Sequence, residues 1–273
     1  MDRIDCLGVG SPIVDTLARV SDIFISTTGA TRGSMTFVDS ARMAGVIAAI
    51  EGHLVQAPGG SAGNTVVALA RLGSRSALLG KTGSDTTGRF YRESLIQSGA
   101  SDSRIKTGGG ASARCLSLIT PDAQRTMMTD LGAAATLCGA DMGPEDFSGV
   151  RMVYIEGYLM YNRPAIDAVL QLARGAGAKI GLDLGAFTLV QAMRDDILSI
   201  LREYVDIVVA NEDEARALFG ELPQEEQARR LGRLCDVAVV NLGARGSLIC
   251  ADGRLLRIPA RKVERVVDTT GAG

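Results

Sequence analysis

Between residues 152 and 240, apolar runs of strand length alternate with amphipathic stretches of helix length. The runs fall at 152–155, 179–182, 207–209 and 237–240, and the stretches at 164–174, 189–203, 212–219 and 224–234. Strands joined through helices cannot pair as hairpins. A helical crossover brings the next strand back parallel to the last, and its right-handed sense stacks helices on both faces of the sheet. The alternation therefore predicts an α/β fold built on a mostly parallel sheet, with a hairpin near 248–258 closing the series.

The amino-terminal half reads less evenly. A buried strand is expected at 3–10 and an alanine-rich helix at 41–50. Pro58-Gly59-Gly60 breaks the chain before a helix at 61–72 closed by Gly73. A strand at 76–79 precedes a helix at 85–98 that Gly99 ends. Two stretches fall outside the alternation. Residues 11–39 are polar and irregular, with the short apolar pieces Ile23-Phe24-Ile25 and Met35-Thr36-Phe37-Val38. Residues 113–119 and 125–129 flank Pro121-Asp122-Ala123-Gln124 as the arms of a hairpin. Together they are expected to form a small second sheet, a lid over the carboxyl edge of the large one. The division is then a core of 1–11, 41–107 and 132–273 and a lid of 12–40 and 108–131.

At 273 residues the chain can bury one large α/β domain or two lobes. Its net charge is −2 and it has no basic block or aromatic-interleaved basic stripe, so no nucleic-acid partner is expected. No apolar run approaches the roughly 20 residues that span a bilayer, and the amino terminus reads as a strand rather than a signal peptide. Cys6, Cys115, Cys138, Cys235 and Cys250 are odd in number and widely spaced, as in a reduced cytoplasmic protein. The lone His53 leaves no histidine cluster for zinc.

Several turns carry chemistry, each with a plain reading beside the functional one. Asp15, soon after the first strand, is an exposed turn aspartate or a carboxylate that accepts from substrate hydroxyls. In Gly59-Gly60-Ser61-Ala62-Gly63-Asn64, Ser61 caps a helix, or else the diglycine and Asn64 meet a polyol. Asn211 and Glu214 share one face of a helix start, as a solvated acidic turn or a water-mediated Mg2+ site. Asn241, Gly243 and Gly246 follow a strand in a Gly-x-x-Gly turn, which a plain hairpin explains equally well. At 266–273 a β-branched run enters Asp268-Thr269-Thr270-Gly271-Ala272-Gly273, whose small residues let consecutive amides face one anion. Two look-alikes are rejected. Gly8-Val9-Gly10 lacks the third glycine of a dinucleotide fingerprint, and Gly80-Lys81-Thr82 lacks the upstream glycine of a P-loop.

Taken in order, these motifs resemble the ribokinase (PfkB) family of sugar and nucleoside kinases over essentially the whole chain. The family's Gly-Gly-x-x-x-Asn matches Gly59, Gly60 and Asn64, its Asn-x-x-Glu matches Asn211 and Glu214, and its Gly-x-x-Gly matches Gly243 and Gly246. Its Asp-Thr-x-Gly-Ala-Gly-Asp matches residues 268–273 without the last Asp. The resemblance implies a ribokinase-like three-layer α/β/α fold with a small β-sheet lid. It also implies transfer of the γ-phosphoryl group of ATP to a primary hydroxyl of a small-molecule sugar or nucleoside. Asp15, Gly59, Gly60 and Asn64 would then bind substrate, and Asn211 and Glu214 would organise Mg2+ through water. Asn241, Gly243, Gly246, Asp268 and Thr269 would line the nucleotide site, and the amides of Gly271, Ala272 and Gly273 would form the anion hole. A monovalent cation is admitted as well.

Asp183 is a further polar candidate at a strand end, and Arg114 and Arg125 either reach anions or keep the hairpin edge soluble. Within the family, Arg32-Gly33-Ser34-Met35, Arg125-Thr126-Met127 and Tyr154-Ile155-Glu156-Gly157-Tyr158 look most like bacterial adenosine-kinase-like members. Phe37, Tyr158, Tyr161 and Phe187 could supply an apolar wall for a base. The family's catalytic base is the aspartate after Gly-Ala-Gly. The expectation is therefore negligible activity for the 273 residues alone, or a fragment of a longer active enzyme. A non-catalytic nucleoside or sugar binder on the same fold is the alternative. A monomer, or a homodimer through the lid, fits the family.

Overall fold

The structure, a computed structural model, describes residues 3–122 and 124–262. Contacts divide them into two units, Gly10–Leu137 and residues 3–9 with 138–262. Strand β1 (Cys6–Val9) starts the second of these. Gly10–Leu137 then runs β2 (Ile13–Arg19), α1 (Asp22–Thr28), β3 (Met35–Phe37), α2 (Ser40–Ala48), β4 (Val55–Pro58), α3 (Ser61–Arg71), β5 (Ser76–Thr82), α4 (Thr86–Gln97), β6 (Ser101–Thr107), β7 (Ala113–Ile119) and β8 (Arg125–Asp130). The rest follows as α5 (Pro144–Phe147), β9 (Met152–Glu156), α6 (Arg163–Gly175), β10 (Lys179–Asp183), α7 (Phe187–Ala192), α8 (Arg194–Glu203), β11 (Ile207–Asn211), α9 (Glu212–Phe219), α10 (Gln224–Leu231), β12 (Val237–Asn241), β13 (Ser247–Ala251) and β14 (Arg254–Ile258).

Within Gly10–Leu137 the small sheet has the order β3-β8-β7-β2-β4. The hairpin β7–β8 is present as expected. Strand β2 falls in the stretch read as irregular, and its burial alternates strictly, with Val14, Thr16 and Ala18 inward. Strand β4 was also unexpected and pairs antiparallel with β2. Ile23-Phe24-Ile25 belong to helix α1 instead, because Ser21 Oγ caps the Phe24 amide at 3.2 Å and Asp22 favours the helix start. Helices α1 and α2 cover one face of the sheet, burying Ala18, Ile25, Met43, Leu116, Leu118 and Met128 in one cluster. A second cluster gathers Val14, Ala62, Val66, Leu78, Tyr91 and Leu95 around α3, α4 and the parallel pair β5–β6. Strand β5 continues through Gly80-Lys81-Thr82, so the P-loop look-alike is extended chain.

In the other unit the strand order is β14-β13-β12-β11-β10-β9-β1. Strands β1 and β9 to β12 are parallel, and β12, β13 and β14 form an antiparallel meander. Val153, Ile155, Ile180, Leu182, Val208, Ala210, Ala238 and Val240 are buried, as strands covered by helices require. The helix expected at 189–203 is broken at Met193 (φ −125°, ψ 29°) into α7 and α8. The architecture is α/β as expected, a large mostly parallel sheet with helices plus a smaller second sheet. Among the described residues no helix is long and apolar enough to cross a membrane.

Candidate functional site

Asp15 lies inside strand β2 and not in an exposed turn. Its register partners are Ala57 of β4 and Cys115 of β7, and Cys115 in turn faces Thr129 of β8. Phe37 of β3 pairs with Thr129, so Asp15, Cys115, Thr129 and Phe37 form one row across one face of the sheet. Leu17, Ser117, Met127 and Met35 form the next row. At about 4.8 Å per strand the first row spans roughly 14 Å from carboxylate to aromatic ring. Burial pushes the Asp15 carboxyl above its ordinary range, against the opposing pull of the Arg125 guanidinium and the Cys115 thiol. Thr129 Oγ1 donates to Cys115 Sγ at 3.5 Å. Arg125 shares this face and donates to Ser117 Oγ at 3.0 Å. Arg114 is one residue out of phase and projects to the opposite face, so the two arginines do not act together.

The two glycines of the α3 turn are required for different reasons. A Cβ on Gly59 would come within 2.5 Å of Asp15 Oδ2, so the carboxylate is seated directly on the glycine. Gly60 adopts φ 86° and ψ 134°, and a Cβ there would come within 2.5 Å of the Ser11 carbonyl. Gly60 is itself the cap of α3, with no side-chain cap bond, which corrects the reading of Ser61 as the cap. The Asn64 amide N–H donates to the Gly60 carbonyl at 2.9 Å, and its side chain is exposed on the first turn. Tyr91, on α4, donates from its hydroxyl to the Gly59 carbonyl at 3.1 Å. Sequence reasoning missed it, because nothing near residue 91 marks a contact 32 residues away.

In the other unit, parallel strands β9, β10, β11 and β12 end in Glu156, Asp183, Asn211 and Asn241. Glu156 is in register with Asp183, and Asn211 with Asn241. Ligands of open α/β sheets bind at this carboxyl edge. Asn211 and Glu214 close a capping box, in which the Asn211 amide donates to Glu214 Oε2 and Asn211 Nδ2 donates to Oε1, both at 2.8 Å. The Glu214 amide returns a bond to Asn211 Oδ1 at 2.9 Å. Glu214 is only 2% exposed, which rules out the solvated-turn reading for it, whereas Asp213 is exposed and pairs with Arg216. Burial is the main reason that its carboxyl is pushed up to about 7; Asp183 and Asp213 add to this, and the Asn211 bonds oppose it.

A buried carboxylate short of positive charge is a fit for a nearby cation. Among the described residues no three His, Cys, Asp or Glu side chains are grouped to hold a metal directly. Glu214 and Asn211 could still take part in a cation site through water, as oxygen ligands of hard cations do. Glu156, 3% exposed at the end of β9, was not singled out as a site residue; a charge ending an apolar strand is the signal that would have found it.

The Gly243–Gly246 turn joins β12 to β13 as a hairpin, with Gly243 at φ 57° and Gly246 at φ 88°. A Cβ on Gly246 would run into the Ile258 carbonyl, so packing alone calls for glycine there. Arg245 pairs with Glu212, and Gln224 Nε2 donates to the same carboxylate at 2.7 Å, tying the turn to the starts of α9 and α10. Tyr158, Tyr161 and Phe187 are exposed on the segments after β9 and β10. Burial raises the Tyr158 hydroxyl pKa, and the acidic groups Glu214, Asp183 and Glu156 raise it further. Asp268, Thr269, Gly271, Ala272 and Gly273 lie outside the described residues.

The chain matches the pfkB family carbohydrate kinase profile over residues 28–273. It is similar to aminoimidazole riboside kinase of Salmonella typhimurium, 28% identical over 229 residues that cover 80% of this chain and 71% of that one. Among solved structures, adenosine kinase from Sinorhizobium meliloti superposes with a TM-score of 0.87 at 32% identity, covering 99% of this chain and 84% of that one. A probable sugar kinase from Rhizobium etli CFN 42 gives a TM-score of 0.88 at 31% identity, covering 100% and 84%.

Proposed function

The chain belongs to the pfkB family of carbohydrate kinases, with a ribokinase-like architecture, and from that premise we propose that it phosphorylates a primary hydroxyl of a nucleoside. Adenosine is the first choice, with ribose or another simple sugar second. The observation that carries the nucleoside reading is the row Asp15-Cys115-Thr129-Phe37, which sets a carboxylate and an exposed aromatic ring on one sheet face. Asp15 accepts from the sugar hydroxyls, and Gly60 and Asn64 add backbone and amide contacts. Phe37 and the apolar Leu17, Met127 and Met35 offer the base a surface.

Asn211 and Glu214 hold water around Mg2+, and Asn241, Gly243 and Gly246 line the nucleotide. Bound Mg2+ would neutralise phosphate charge, which is what phosphoryl transfer chiefly needs beyond positioning. Asp183 and Glu156 add negative potential beside the same strand ends and favour the cation. The reading is supported by the likeness to an adenosine kinase and an aminoimidazole riboside kinase.

The test is ADP release with MgATP and a panel of adenosine, aminoimidazole riboside, ribose and fructose, with and without added K+. Adenosine should give the highest kcat/KM. Phosphorylation of ribose or fructose with adenosine ignored overturns the ordering. Calorimetric adenosine binding with no turnover for any form of the protein supports the non-catalytic binder instead.

A further inference from the structure

Gly59 is gripped on three sides. Its amide donates to the Ile13 carbonyl of β2 at 2.8 Å, its Cα lies against the Asp15 carboxylate, and its carbonyl accepts from Tyr91 at 3.1 Å. Tyr91 is 1% exposed and packs in the cluster of Val14, Ala62, Val66, Leu78 and Leu95. A phenyl ring would fill that volume as well. The hydroxyl is what needs explaining, because a buried hydroxyl requires an acceptor. The same oxygen occupies the space that a methyl group on Gly63 would take.

The peptide joining Gly59 to Gly60 is planar, so fixing its carbonyl fixes its N–H in the opposite direction. Two successive glycines leave this plane free to rotate unless something holds it. We propose that Tyr91 is a positioning residue for the acceptor hydroxyls, acting through the Gly59 carbonyl to aim the Gly60 N–H and to keep Gly59 seated against Asp15. The proposal rests on the reading of Asp15, Gly59, Gly60 and Asn64 as the acceptor site. Tyr91 touches no substrate in this account.

Tyr91→Phe should raise the acceptor KM about fivefold, because the competent orientation of the Gly59–Gly60 peptide becomes a minor one, and leave kcat and the KM for ATP within about twofold. Gly63→Ala should raise it at least as much, since its methyl group displaces the hydroxyl. The double variant Gly63→Ala/Tyr91→Phe should be no worse than Tyr91→Phe alone, because the added methyl would then sit 3.5 Å from Tyr91 Cζ, an ordinary contact. Asp15→Asn is measured alongside, and the calorimetric Kd for adenosine gives the same comparison without turnover. An unchanged acceptor KM and Kd in Asp15→Asn overturns the acceptor reading itself. A raised KM in Asp15→Asn with none in Tyr91→Phe overturns the positioning role alone. Additive losses in the double variant, or losses that fall equally on kcat and the KM for ATP, also overturn it.

Discussion

Gly60→Ala is expected to lower stability by about 2–4 kcal/mol and to weaken acceptor binding by roughly one to two orders of magnitude. Two costs combine at this position. The pair φ 86°, ψ 134° lies outside the left-handed helical well that other residues sometimes visit, in a region essentially confined to glycine. The added methyl group would also sit 2.5 Å from the Ser11 carbonyl. That oxygen is backbone, so it cannot swing aside as a flexible side chain would. Relief must come from moving the start of β2 or of α3, and either shift carries Gly59 off Asp15 or displaces Asn64. Gly73→Ala gives a comparison at positive φ without the contact, since Gly73 has φ 90° but no atom within 4 Å of its Cβ position. It should lose only about 1 kcal/mol, the conformational part. Urea unfolding and adenosine calorimetry on both variants check this. A loss at Gly60 no larger than that at Gly73 would refute the expected contribution of the Ser11 contact.

The sequence was most legible where burial is two-sided. Val153, Ile155, Val208 and Val240 sit in strands whose apolar runs are continuous, and their spacing by helices leaves little freedom in topology. It was least legible at the small sheet. Strand β2 carries Asp15 and Thr16 at its centre, and β4 reads Val-Gln-Ala-Pro, so neither has the apolar density that marks a strand. The three apolar residues Ile23-Phe24-Ile25 look like strand until the Ser21 cap is recognised. Of the candidate site, Asp15 and the glycines were legible as residues. The chain order alone did not show that Asp15 rests on Gly59, or that a tyrosine 32 residues further on holds the turn. Those relations belong to packing. The shared face of Asn211 and Glu214 was legible from their spacing, but the capping box that the two close, and the burial of Glu214, were not.

That burial sets up the second large effect, at Glu214. Its carboxyl is pushed up from 4.5 to about 7, so between those values the folded state keeps a proton that the unfolded state releases. Proton binding then favours the folded state. In chelator-containing buffer, the contribution of Glu214 to stability should be greatest below about pH 4.5, fall as pH rises to about 7, and level off above it. The fall is at most about 3 kcal/mol from this group. Asp15 is shifted in the same direction, so the test is a comparison with Glu214→Gln. Glutamine keeps one of the two bonds from Asn211 and loses the other, at a cost of about 1 kcal/mol, but it carries no charge to bury. The variant should therefore be less stable than the parent near pH 5 and more stable near pH 8, with the two curves crossing between. Mg2+ should then restore stability to the parent at pH 8 and do little for the variant, because only the parent presents a buried negative charge for the cation to neutralise. Parallel pH curves would refute the raised carboxyl, and equal responses to Mg2+ would separate Glu214 from the ion site while leaving its capping role intact.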